Sequence, residues 1–218
     1  MALGSADERD LLLPLFEGIH ETPAWRTFLR RLMARTGADR LGLMLRPAAH
    51  ASPSTRWISA DPDALARPDL EILSALGLIP YAALRPHRVY ALEEFFNLDS
   101  AEARERQQAA LDAADITYGR FIRVAARGEH TAWLVLLHAR TDFSAADSAL
   151  LSSLAGPFGA ALASRAELDA VRLRRDAAEE TLGLIGIGQI ALDRDGRVLA
   201  ATAQAAAMLD AQPGARLP

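Results

Sequence analysis

Trp57, Tyr81, Tyr90, Phe96, Tyr118 and Trp133 run through the middle of the chain, and Arg120 follows Tyr118 at the next position but one. Rings of this kind, with a few placed polar groups, are what small-molecule pockets are lined with. A guanidinium among them would suit an acidic aromatic or acyl ligand, because it binds carboxylates through charge-assisted hydrogen bonds. The segment YGRFIRVAA has strand character, so its side chains alternate. Tyr118, Arg120 and Ile122 take one face, Phe121 and Arg123 the other. Both arginines therefore cannot reach one pocket. Two uses of these residues stay open: the rings are core and the arginines face solvent, which is the commoner arrangement, or they contact a ligand.

Other chemistries are poorly served. His20, His50, His87, His130 and His138 stand singly, without the three- or four-residue spacing by which a helix holds a metal. Cysteine is absent, which removes disulfides, thiolate metal sites and a thiol nucleophile. No serine sits in a Gly-x-Ser-x-Gly elbow. GLIGIG, from Gly183 to Gly188, lacks the glycine order of a phosphate loop and follows a helix instead of a strand. DRDG, Asp193 to Gly196, lacks the later ligands of a calcium loop and reads as a turn. Glu93 with Glu94, and Asp112 with Asp115, have no second feature that would make them acid–base pairs, so they are assigned to solvent. No catalytic residue, metal ligand or cofactor is expected, and the chain does not read as an enzyme.

A chain of 218 residues has room for one large domain, or an ordinary domain and a fragment. Half of it is hydrophobic and 24% is charged, a globular balance. The net charge of −4 supplies no bulk field towards nucleic acid or an anionic membrane. All basic side chains are arginine and alanine is abundant, which reads as coding bias. MALGSADERD is acidic where a signal peptide needs a basic region and an apolar run. No stretch approaches the ~20 apolar residues of a membrane span. The expectation is a cytoplasmic protein without membrane contact.

The elements that must position these residues follow from periodicity. Leu11, Leu12, Leu15, Phe16 and Ile19 recur at helical spacing, with the regular part starting or bending at Pro14. Trp25, Phe28, Leu29 and Leu32 mark a second helix, with Thr22 as N-cap, Pro23 at its first position and Gly37 as its stop. Arg40 to Pro47 reads as a buried strand, followed by a loop and a short run at Trp57 and Ile58. Asp69 to Leu76 reads as a helix ended by Gly77, and HRVYALEEFF as a strand turning helical. Ser100 to Ala114 is a helix capped by Asp99 or Ser100. YGRFIRVAA and HTAWLVLLHAR form a hairpin turning at Gly128 and Glu129. A very long helix opens at Ser144 with Asp147 three residues on, and Pro157 should kink or loosen it near Leu154. Two short strands around Asp193, Asp195 and Gly196 and a short helix close the chain. The fold class is α+β: helices packed on one face of an antiparallel sheet.

Along the long helix Leu154, Ala161 and Leu168 repeat at seven residues, with Leu151, Phe158 and Leu162 nearby, so a partner helix could pack there. The stripe breaks at Arg172 and Arg175. Packing on the chain's own sheet is the equal alternative.

RTDFSAADSALLSSLAGPFGAALASRAEL, with Phe143, Ser144, Asp147, Leu150, Leu151, Leu154 and Pro157, resembles the sensory portion of LuxR-type helix-turn-helix transcriptional regulators of proteobacteria. ETPAWRTFLRRL looks like the opening helix of that group, HRVYALEEFF like its mid-domain strand, and GRFIRVAARGEHTAWLVLLHAR like its core hairpin. The resemblance spans roughly Leu11 to Leu209 and rests on loose patterns. It implies a GAF-like sensory domain over residues 8–165, a signalling helix over 166–184 and a partial PAS-like hairpin over 185–218. Thr202 stands where PAS domains usually carry asparagine. The resemblance further implies a DNA-binding domain beyond Pro218, an unidentified small-molecule signal for a pocket lined by the aromatics and Arg120, and a homodimer matched to paired half-sites. DNA would be touched only through that further domain. Two rivals remain. One is a stand-alone dimerisation or scaffold module whose pocket its own aromatics fill. The other is an acyl-homoserine-lactone receptor domain, whose aromatic and aspartate pattern is not evident around Trp57 and Asp69.

Overall fold

The computed structural model describes residues 7–46, 56–60, 80, 83–96, 100–125, 131–209 and 212–216. The chain divides into two compact units, Met1–Ala166 and Glu167–Pro218. In the first, a π-helical turn at Glu8–Leu12 leads into α1 (Leu13–Glu17), and α2 spans Arg26–Thr36. Strands β1 (Arg40–Arg46), β2 (Arg56–Ser59), β3 (Val89–Ala91), β4 (Tyr118–Ala125) and β5 (Thr131–His138) form one sheet in the order β2-β1-β5-β4-β3. Every pairing is antiparallel. Between β3 and β4 lie a 3₁₀ turn, Leu92–Phe95, and helix α3 (Ala101–Ala113). Helix α4 (Ala145–Leu184) follows β5.

The central position of β5 explains its composition. Thr131 to Leu137 are all buried, so this strand is covered on both sides and reads as an apolar run without alternation. Helices on one face only would have left alternate residues wet. The sheet instead separates two apolar layers. On one side Leu41, Leu43, Ile122, Val124, Leu134 and Leu136 meet α1, α2 and the first half of α4. On the other Met44, Phe121, Trp133, Val135 and Leu137 meet the 3₁₀ turn and Leu111 of α3.

Local signals account for most boundaries. Ser144 and Asp147 make a reciprocal cap at α4: Ser144 N–H donates to Asp147 Oδ2 at 2.9 Å, and Asp147 N–H to Ser144 Oγ at 3.2 Å. Ser100 Oγ accepts from Ala103 N–H at 3.2 Å, so Ser100 caps α3. Gly37 ends α2 in the left-handed region (φ 66°). Helix α4 continues through Pro157 without interruption. The start of α2 differs from expectation. Trp25, with φ 59°, occupies the N-cap position and makes no side-chain cap, and Glu21 Oε2 accepts from Thr27 N–H at 2.9 Å in place of Thr22. Tertiary packing decides this: the Trp25 ring is fully buried and its Nε1–H donates to the Leu15 carbonyl at 3.0 Å.

The second unit holds the rest of α4, a hairpin of β6 (Ile190–Leu192) and β7 (Val198–Ala201), and α5 (Ala203–Leu209). Asp193 Oδ1 accepts from Asp195 and Arg197 N–H at 2.9 and 2.8 Å, and Gly196 has φ 75°. Its carboxylate thus serves the turn. Thr202 Oγ1 accepts from Ala205 N–H at 3.4 Å and Gln189 N–H at 3.0 Å, so a threonine caps α5 and ties it to the hairpin's entry. The expected helix at Asp69–Leu76, the Gly128–Glu129 turn and Asp99 lie outside the described residues.

Candidate functional site

The helix-covered face of the sheet is built to hold. Trp25 and Phe28 pack against Phe158 with ring centroids 5.5 and 5.6 Å apart. Leu151, Leu154, Phe158 and Ala161, the residues expected to offer a seam to a partner helix, are buried in this layer, while Leu168 is half-buried. Strand alternation sends Arg120 and Tyr118 to the same side. Arg120 is 8% exposed and fully engaged. Its Nη2 donates to Asp142 Oδ2 and to the Phe143 carbonyl, each at 3.2 Å; Nε donates to Ser148 Oγ at 3.3 Å; Nη1 donates to the Gly119 carbonyl at 3.0 Å. This guanidinium fastens β4 to the segment that opens α4. It is a clamp, with its donors occupied inside the chain. At the end of β5, His138 Nδ1 accepts from Arg140 and Thr141 N–H at 3.0 and 3.2 Å, which shapes the turn towards the same segment.

The opposite face carries the aromatic cluster. Tyr90 and Trp133 belong to its buried set, and Phe96 packs against them half-buried. Phe95 bridges Tyr90 and Phe121, with ring centroids 5.7 Å from the first and 5.4 Å from the second in an edge-on contact. The Tyr90 hydroxyl accepts from Arg85 N–H at 2.9 Å, and the Arg88 guanidinium lies 4.5 Å over the Tyr90 ring while pairing with Glu94. Such a cation over a ring is an attractive electrostatic contact. Arg123 stands opposite Trp133 in the β4–β5 register, and its Nη1 donates to the Leu84 carbonyl at 3.0 Å. Gly119 makes room for this layer, since a Cβ there would lie 2.8 Å from Phe121 Cε2.

No family model and no curated protein matches the chain. Among solved structures, it is similar to the LBD domain of VqsR from Pseudomonas aeruginosa, at 19% identity over 74% of this chain and 96% of that one, with a TM-score of 0.50. The chain has the fold of that domain. It is also similar to CepR2 of Burkholderia cenocepacia, an N-acylhomoserine lactone dependent LuxR family transcription factor. There the identity is 16% over 75% of this chain and 94% of that one, with a TM-score of 0.43. Escherichia coli SdiA matches at 14% identity over 66% and 58% of the two chains, with a TM-score of 0.41. At these identities what is shared with VqsR is the architecture: an antiparallel sheet with helices packed on it.

Of the seven residues singled out for ligand contact, the structure brings together Tyr90, Phe96 and Trp133. Tyr118 and Arg120 lie on the helix side of the sheet. Trp57 is paired with Met44 in the β1–β2 register, and Tyr81 lies outside the described residues. The arginine that shares a face with the rings is Arg123, as alternation from Phe121 requires. Phe95, Phe121 and Leu84 are among the further members of the cluster that ring chemistry did not single out. Phe121 was recoverable from the same alternation, whereas Leu84 lies outside any regular element.

An open groove of ≈ 550 Å³ is lined by Asp7, Asp10, Leu11, Arg31, Ala34 and Arg35. Its charges neutralise one another through Arg35–Asp7 at 3.0 Å and Arg31–Asp10 at 3.9 Å. Among the described residues, no group of three His, Cys, Asp or Glu side chains could hold a metal ion, and no helix is long and apolar enough to cross a membrane.

Proposed function

We propose that residues 8–165 are the signal-binding, GAF-like domain of a LuxR-type transcriptional regulator, and that the Trp133 face of the sheet takes the signal. The observation that carries this reading is the division of labour across the sheet. One layer anchors the helices, and the other gathers Tyr90, Phe95, Phe121 and Trp133 with Arg123 and the Glu94-paired Arg88 at its margin. An aromatic wall with few polar groups suits a small, largely apolar ligand. With Arg120 committed elsewhere, a carboxylate would depend on Arg123, so an uncharged molecule fits better. An acyl-homoserine lactone falls within that class, which keeps the lactone-receptor reading as a choice of ligand.

In this reading residues 166–184 are the signalling helix, and 185–218 a partial PAS-like hairpin leading towards a DNA-binding domain outside this chain. The regulator works as a cytoplasmic homodimer. Ligand preference for one packing of α4 would shift its population by no more than the differential affinity.

A second reading is favoured by burial: Phe121 is fully buried and Trp133 is 2% exposed, as in a scaffold whose aromatic layer fills itself. One experiment separates the two. The purified chain is denatured and extracted with organic solvent, the extract is analysed by mass spectrometry, and any molecule found is added back while tryptophan fluorescence and thermal midpoint are followed. A co-purifying molecule that raises the midpoint by mass action, and is not retained by Trp133→Leu, supports the sensor. An extract with no such molecule overturns it in favour of the scaffold.

A further inference from the structure

The turn that carries the chain from β5 into α4 is held at both ends. At its far end Arg120 grips the Asp142 carboxylate and the Phe143 carbonyl. At its near end a single atom, His138 Nδ1, accepts from the Arg140 and Thr141 N–H groups at 3.0 and 3.2 Å. The same atom lies 3.1 Å from Asp39 Oδ2, at the entry to β1. Backbone bonds fix that carboxylate in place. Ala139 N–H donates to Asp39 Oδ2 at 2.8 Å, and Asp39 N–H donates to the Leu137 carbonyl at 3.0 Å.

These contacts cannot all be hydrogen bonds at once. A ring nitrogen accepts only when it carries no proton and donates only when it carries one. Neutral His138, protonated at Nε2, can receive the two turn amides, but its Nδ1 lone pair then faces a carboxylate oxygen across hydrogen-bond distance. Doubly protonated His138 converts that contact into a charge-assisted hydrogen bond and leaves both amides without their acceptor. Imidazole is the side chain that changes charge between about pH 5 and 8.

We infer that His138 is a pH-operated latch on the entry to α4: neutral, its Nδ1 holds the turn; protonated, it binds Asp39 and frees Arg140 and Thr141. Its surroundings favour two states. Tyr118 is its register partner on β4, Asp39 stands at the entry to β1, and Arg140 and Asp142 belong to its own turn. Asp142 is engaged by Arg120, and Asp147 at the start of α4 by Ser144. Arg140 is exposed, so water screens its opposition to a second positive charge. Asp39 is thus the group that draws the proton. The Phe143 ring stands edge-on to the imidazole, 6.3 Å between centroids, so movement of His138 reaches the residue before the Ser144 cap. The latch does not depend on the aromatic face taking a ligand.

Nuclear magnetic resonance on the full chain tests it without any ligand. Long-range proton–nitrogen spectra of the His138 ring should show the Nε2–H tautomer at about pH 8 and both nitrogens protonated at about pH 5.5. Over that range the Arg140 and Thr141 amides should lose about tenfold in protection against hydrogen exchange, after correction for the intrinsic rate. Ser148, whose N–H donates to the Ser144 carbonyl at 3.2 Å, should follow to a smaller extent. His138→Asn puts an oxygen that never titrates where Nδ1 stands, so protection should be kept at both pH values. Asp39→Asn retains an acceptor for Ala139 N–H and removes the charge, so protection should persist to lower pH than in the unaltered chain. An Nδ1–H tautomer at the higher pH, a ring still neutral at the lower one, or a loss of protection that His138→Asn shares each overturns the latch. Unchanged protection at Ser148 overturns its link to α4.

Discussion

The two faces of the five-stranded sheet are equally buried but differently made. The helix side is mostly aliphatic around a small ring centre of Trp25, Phe28 and Phe158, with Arg120 as a satisfied clamp at its edge. The opposite side is aromatic, with Tyr90, Phe95, Phe121 and Trp133 and an arginine whose strand neighbour is a tryptophan. A layer that only holds a fold needs volume and shape. A layer proposed to take a ligand gains from a higher share of rings, which supply large apolar area with specific geometry. Burial therefore does not distinguish the two faces, whereas composition does.

The largest effect is expected from Phe158→Ala, which opens the centre of the helix layer. It should cost about 3–5 kcal/mol in urea unfolding, and a loss below about 1 kcal/mol would mean this layer does not carry the fold. Arg120→Met comes next. It removes a buried charge whose partner Asp142 can turn to water, and about 1–3 kcal/mol of stability should go while ligand retention is unchanged. Loss of a co-purifying ligand with stability intact would place Arg120 with the proposed binding face and break the comparison. Gly119→Ala forces the Phe121 ring to move. It should cost about 1–2 kcal/mol and also change near-UV circular dichroism and ligand retention, the double signature that separates this face from the other. Ser144→Ala removes one side of the α4 cap for about 1 kcal/mol and should leave the aromatic face unaltered by the same measurements.

Much of this arrangement is legible in the chain itself. The apolar run TAWLVLLH already marks β5 as a strand, and the Ser144–Asp147 pair marks the start of α4. Alternation along β4 is enough to separate Arg120 from Arg123. It cannot say which of those faces meets helices and which meets the rings of Tyr90 and Phe95, because that depends on contacts between residues far apart in sequence. The aromatic residues were gathered as one candidate set for the same reason: ring chemistry identifies them, and only the sheet sorts them.

The start of α2 shows where local rules yield. Thr22 and Pro23 are good opening residues, yet the helix begins after Trp25, because burying that ring and satisfying its indole N–H outweighs a cap worth about 1 kcal/mol.

Sequence alone therefore determined the α+β class, the strands and the caps of α3 and α4, since these follow from periodicity and from hydrogen bonds spanning three or four residues. Tertiary structure decided that both sheet faces are covered, that Arg120 is a clamp, that Phe95 joins the rings of Tyr90 and Phe121 in the layer that holds Trp133, and that the first half of α4 is core. Each of these depends on which distant residues meet, and the pairing of β1 with β5 and of β4 with β3 sets those meetings.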